Sequence, residues 1–265
     1  MDRTALTLAE VSRQHKIWII DPVARCVQYI ADEAVLGGLM HRAVGTFEGF
    51  NTYLNLARKE IVRRSGQGKA LHAIDALLVQ QPLNARLASE HVRSDFALLN
   101  AHSLVAIWAA LESCIEETAV LILMNDATMR ARMIDDAKKS GRIDQTLSDE
   151  DSCRNLVRLW EFAQPKAPSA GLRFERLLSF FGLGAALDPA LDAQLADINA
   201  IRNCLMHRRG IIDERAVREA PSLAAHLHKP IVIKRADYLR HHQAVSTYTV
   251  ALMGRITVSP FAVTT

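Results

Sequence analysis

Excess charge is scarce in this sequence. The formal net charge is only +3, too small to mark a nucleic-acid binder by itself. Breakers are scarce too. There are 12 glycines and 8 prolines in 265 residues, and with alanine, leucine and arginine abundant this favours a mostly helical protein. The four cysteines, Cys26, Cys114, Cys153 and Cys204, form no CxxC pair. They read as reduced core residues in a reducing, cytoplasmic setting. No uninterrupted apolar run exists. The most apolar region, Ala101 to Met124, carries Glu112, Glu116 and Glu117, which argues against a membrane span. MDRTALTLAE at the start lacks a signal-peptide pattern. No GxGxxG, P-loop, zincin or nucleophile-elbow sequence occurs, so no cofactor and no metal is expected.

What is present reads as folded helix. Hydrophobic residues make up 49% and charged ones 23%, the balance of a globular chain with one large or two small domains. Of the 32 basic residues 24 are arginine, which grips phosphate in a bidentate way that lysine cannot, though a solvated surface explains the bias more simply. From Pro22 to about Arg64 the pattern is helical, with a break expected at Gly37-Gly38. A second helix is expected from Ala70 to Val79, ended by Pro82. Ser94 to Asn125 is apolar on more than one face, as for a central bundle helix. Shorter helices are expected at Leu156–Phe162 and Leu172–Phe181, a strand at Ile231–Ile233, and a last helix from Ala236 to Ile256.

The best-defined helix begins at Asp188. Asp188 suits the cap, Pro189 the first turn, and Gly210 the stop. Leu191, Leu195, Ile198 and Leu205 make an apolar stripe. Near the end of this helix stands IRNCLMHRRGIID, Ile201 to Asp213. Extending the stripe puts Arg202 on or beside the buried face, where an unpaired guanidinium is costly. Asn203 and His207 are four apart and share a face. The three polar groups can converge on one cleft. Arg208 and Arg209 suit the helix C-terminus through the dipole alone, and would also steer RNA phosphates. An arginine with a histidine five residues later arises about once by chance in such a composition; Arg86 and His91 form another. Only the apolar helix before Arg202 and the asparagine after it set this pair apart.

With that context, Asp197 to Asp213 resembles the signature of HEPN-family ribonucleases: an arginine, a polar residue after it, and a histidine a few positions on. Trp108 to Glu117, WAALESCIEE, is similar to the long helix of several subfamilies. The resemblance covers about residues 95 to 256. It implies an all-α, HEPN-like helical bundle at 95–256, preceded by an N-terminal helical region at 1–94 and followed by a tail at 257–265. It also implies a homodimer whose two motifs face each other, and metal-independent RNA cleavage of the defence or toxin type, with an antitoxin or regulatory protein as a further partner. The chemistry is coherent from the residues alone. Histidine is the side chain best suited to moving the 2′-OH proton, and His207 is the natural candidate. Arg202 can oppose the charge that develops on phosphate, and Asn203 can orient either group. Glu112 and Glu116 are candidate cleft-lining carboxylates, and Arg202 is a fitting partner for Glu112.

The alternative is a catalytically inactive, dimeric module binding RNA or protein, with Arg202 a structural ion-pair partner. Nucleotide or small-ligand binding in the dimer cleft is a third reading. Other constellations have simpler explanations. His241-His242 and His226-x-His228 lack a third ligand at suitable spacing. Asp135-Asp136 and Asp149-Glu150-Asp151 read as solvated acidic turns, and Arg63-Arg64 as a surface pair.

Overall fold

A sequence with so few breakers gives long helices. The computed structural model describes residues 18–65, 69–137 and 149–262. Among them every regular element is helical, and the chain is all-α. The α-helices are α1 (Asp21–Ser65), α2 (Lys69–Arg93), α3 (Ala97–Asn125), α4 (Ala127–Ala137), α5 (Glu150–Ala163), α6 (Ala170–Phe180), α7 (Pro189–His207), α8 (Glu214–Glu219) and α9 (Arg235–Thr257). Short 3-10 turns occupy Trp18–Ile20, Pro221–His226 and Pro260–Ala262. No described helix is long and apolar enough to cross a membrane.

Three expectations are corrected. Gly37-Gly38 does not break α1, which is continuous from Asp21 to Ser65; each interior glycine costs only about 1 kcal/mol. Pro82 does not end α2, which runs on to Arg93. There is no strand at Ile231–Ile233. A lone antiparallel bridge joins Ile211 to Pro230, and Pro230 has no N–H with which to extend a ladder. Ile231 N instead reaches Gly210 O at 2.7 Å, folding the segment back on the end of α7. Residues 1–17 of the expected N-terminal region and 263–265 of the expected tail lie outside the described residues.

Contacts divide the chain into two units that are not sequential. The described residues of Met1–Asp32, Leu104–Ile231 and Leu239–Thr265 form one, and Glu33–Ser103 with Val232–Tyr238 the other. The candidate site residues all belong to the first unit.

Its core is built on α3, where Leu104, Ile107, Trp108 and Leu111 are fully buried. Leu195 and Ile198 of α7 are equally enclosed, as are Val245, Tyr248 and Leu252 of α9. Phe174 of α6 lies 5.6 Å from Trp108 and 6.1 Å from Tyr248 between ring centroids. The next residue, Glu175, is buried and fully engaged. It accepts hydrogen bonds from Tyr248 Oη at 2.8 Å, Arg255 Nη1 at 2.8 Å and Ala185 N at 2.7 Å. Such a pair is tolerated inside only because every charge has partners. It fastens α6 to α9 and so fixes one wall of the cleft described next.

The acidic stretches are less idle than solvated turns. Asp149 caps α5 by accepting from Ser152 N at 3.0 Å. Asp136 accepts from the Trp160 indole at 3.0 Å. All four cysteines are free and buried.

Candidate functional site

The site begins with the register of α7. Asp188 Oδ1 caps the helix by accepting from Ala190 N at 2.9 Å and Leu191 N at 3.0 Å. Pro189 occupies the first turn. At the far end Arg208 N and Gly210 N both return to Cys204 O, at 2.9 and 3.0 Å, while Arg209 and Gly210 take left-handed conformations. With both ends set and the stripe buried, Arg202 stands at the edge of the core.

Arg202 is held from two sides. Its Nη2 donates to Glu112 Oε2 on α3. Its Nη1 donates to Asn203 Oδ1 at 2.8 Å. Glu112 Oε1 accepts from Arg173 Nη2 on α6 at 2.8 Å, so one carboxylate bridges two guanidinium groups. Arg202 and Glu112 have side chains 23% and 24% exposed. At that depth the pair is partly desolvated and fixed, yet reachable. Burial draws the Arg202 pKa below its usual value, and the group stays charged at any physiological pH.

Arg202, Asn203 and Glu112 line an open cleft of about 530 Å³. Its walls come from α3, α5, α6, α7, α8 and the 164–169 loop. Six cationic side chains and three carboxylates face it, a local positive surplus within a nearly neutral chain. Arg158, Lys166, Arg173, Arg176 and Arg215 join Arg202. Each is restrained: Arg158 by Glu116 at 3.2 Å, Arg215 by Glu219 at 3.0 Å, Lys166 by Glu219 at 3.5 Å, and Arg176 by the Pro165 carbonyl. Arg202, at the edge of the core and held by Glu112, is the cation best prepared for an anion, whereas Arg158, Lys166 and Arg215 sit in exposed, weak pairs.

His207 stands in an adjoining pocket of about 270 Å³, shared with Asn203, Arg208 and Asp213. Asn203, Arg215 and Glu219 line both cavities and link them. His207 is exposed. Arg208 Nε donates to Asp213 Oδ2 at 3.1 Å. Asp213 also caps α8 through Ala216 N at 2.8 Å, and that bond, with burial opposing and Arg208 assisting, holds its carboxyl below the usual range. Arg209 lines neither cavity. Glu116 does not line the cleft either, and it touches the cleft's chemistry only by holding Arg158.

Comparison of the chain with protein-family models, with curated proteins and with solved structures finds no match. The geometry therefore carries the functional argument alone.

Sequence reasoning missed most of the cleft. Arg173 and Arg176 are three apart on α6, and Arg158 and Glu161 three apart on α5. Those spacings share a helix face, but nothing in one helix says that three others converge on it. Glu161 was missed as well. Burial pushes its carboxyl above the usual range, against the pull of Arg173. Arg86, the other arginine with a histidine five on, is spent on Glu90 at 3.0 Å on exposed α2. Among the described residues no group of three or more histidine, cysteine or acidic side chains could hold a metal.

Proposed function

We propose that the chain is a metal-independent endoribonuclease of the HEPN type, with Arg202, Asn203 and His207 as its catalytic residues. The observation that carries the reading is the partly buried Arg202, braced by Glu112 and Asn203 in a cation-rich cleft, with His207 one pocket away along the same helix. In the step envisaged, a ribose 2′-oxygen attacks the adjacent phosphorus and the P–O5′ bond breaks. The 2′-OH proton passes to His207 and the leaving O5′ receives a proton. Arg202 opposes the charge building on the phosphoryl oxygens. The products are a 2′,3′-cyclic phosphate and a 5′-OH. One copy offers a single His207, whereas the reaction uses a base and an acid. A homodimer with the two motifs facing would supply both, and a regulatory protein or antitoxin would act by covering that cleft.

The test is an RNA cleavage assay in EDTA with wild type and His207→Ala at matched purity. Wild type is expected to cut, the variant to fail, and an RNA with 2′-deoxyribose at the cut position to resist. Cleavage that survives in the variant or on the deoxy substrate overturns the mechanism.

One observation favours a second reading. The Arg202 fork already has two partners, as a structural ion pair would. On that reading the chain is a catalytically inactive module that binds RNA or protein. Wild type that binds RNA yet never cuts it would decide for this reading.

A further inference from the structure

Phe162 is the one large apolar side chain of the cleft that the fold leaves uncovered. It is 84% exposed at the end of α5 and lines the cleft beside the arginines. Its exposure is not the fraying of a loose helix end. Two residues earlier Trp160 is buried, its indole bonded to Asp136 at 3.0 Å and its ring edge-on to Phe180 at 5.3 Å. Just beyond, Gln164 N closes the helix on Glu161 O at 3.2 Å. A phenyl ring is therefore held out in water from a fixed backbone, where it forgoes the stabilisation of burial. Around it stand cations suited to phosphates.

We propose that Phe162 is a stacking platform for one unpaired base, and that the RNA taken by the cleft is single-stranded. The inference rests on the RNA reading above and deepens it. Positive grooves that track a backbone, joined to aromatic rings that stack bases, are how proteins hold single strands. A duplex cannot use such a platform, because its base faces are already stacked on one another. The cations fix the backbone, and the ring selects strands whose bases are free.

The experiment uses the full chain carrying His207→Ala, so that bound RNA stays intact. Fluorescence anisotropy compares an unstructured 12-mer RNA with a 12-base-pair RNA duplex. Adding Phe162→Ala is expected to weaken the single strand about tenfold or more, with duplex binding unchanged. Phe162→Trp is expected to restore it. The slope of log affinity against log salt should stay the same for Phe162→Ala, since no phosphate contact is lost, and should fall by about one for Arg176→Ala. Because Phe162 is exposed, its variants should melt with the parent.

The outcomes separate the proposal from the reading beneath it. If Phe162→Ala binds the single strand as the parent does while Arg176→Ala weakens it, the platform is wrong and RNA binding stands. Equal weakening of single strand and duplex also overturns the platform. Should Phe162→Ala instead dissociate a dimer in sedimentation, the ring is a contact between copies and the proposal fails. A parent that binds neither RNA sinks both.

Discussion

Arg202 and Glu112 are not symmetric partners, and single substitutions separate them. Arg202→Ala leaves Glu112 still paired with Arg173, so no carboxylate is stranded. The expected cost is about 1–3 kcal/mol, that of a lost charge-assisted bond. Glu112→Ala removes the only carboxylate between two guanidinium groups and should cost more than Arg202→Ala, approaching the roughly 3–5 kcal/mol of a broken buried pair. His207→Ala, at an exposed position, should stay within about 0.5 kcal/mol of wild type. Urea unfolding of the three variants tests the order. Arg202→Ala costing as much as Glu112→Ala would show that Arg173 does not share the carboxylate. At this scale the sequence told a good deal. The stripe of α7 placed Arg202 at the core edge, and its need for a carboxylate pointed to Glu112. Arg173, Arg176 and Phe162 were invisible because their meeting depends on how α5 and α6 approach α7, which no single helix encodes.

Elements were legible where the chain carries explicit signals at both ends. Asp188, Pro189 and Gly210 bounded α7 almost to the residue. Proline alone misled in α2. A proline inside a helix removes one hydrogen bond and pushes against the preceding turn, so Pro82 read as a stop. The residues on either side, ALLVQQ and LNARLASEH, are good helix formers, and helix resumes at once because propagation is cheap after nucleation. The hydrogen bond that Pro82 cannot make stays absent from the helix. Pro82→Ala should therefore stabilise the protein, by about 1–3 kcal/mol. A rise in urea midpoint at constant m-value is the expected observation. A fall would mean that the ring makes packing contacts worth more than the lost bond. The strand expected at Ile231–Ile233 failed for the converse reason: β-branched residues favour strands only where a ladder is on offer, and Pro230 denies one.

Across the whole molecule the chain returns repeatedly between its two units, with the divisions falling inside α1, α3 and α9. Residues 18–32 thus share a unit with the C-terminal helix. Contacts so distant in sequence leave no local trace in it. They also make stability a property of joints far apart in the chain, and one such joint is sensitive to pH. In the unit containing Glu33–Ser103, His41 of α1 lies against α3 and the start of α9. Its ring stacks on Phe96 with centroids 4.2 Å apart. Its Nδ1 takes a hydrogen bond from Arg235 Nη1 at 3.0 Å. A guanidinium can only donate, so Nδ1 accepts and the proton sits on Nε2, which is buried. Protonating this ring would place a second cation against Arg235. Burial, then Arg235, accordingly lowers the His41 pKa from its usual 6.5, against weaker opposing pulls from Asn100 and Asp95. The sign follows directly. Unfolded chain binds a proton at His41 below 6.5 while the folded one still resists, so stability rises with pH across that window and is lost as pH falls through it. Unfolding midpoints should drop between pH 7.5 and 5.5, and His41→Gln, which keeps a polar side chain but cannot titrate, should show a smaller drop. A variant whose pH dependence matches wild type would place the titrating group elsewhere. A midpoint that rises on acidification in wild type alone would mean that Asp95 overrides Arg235 at this joint.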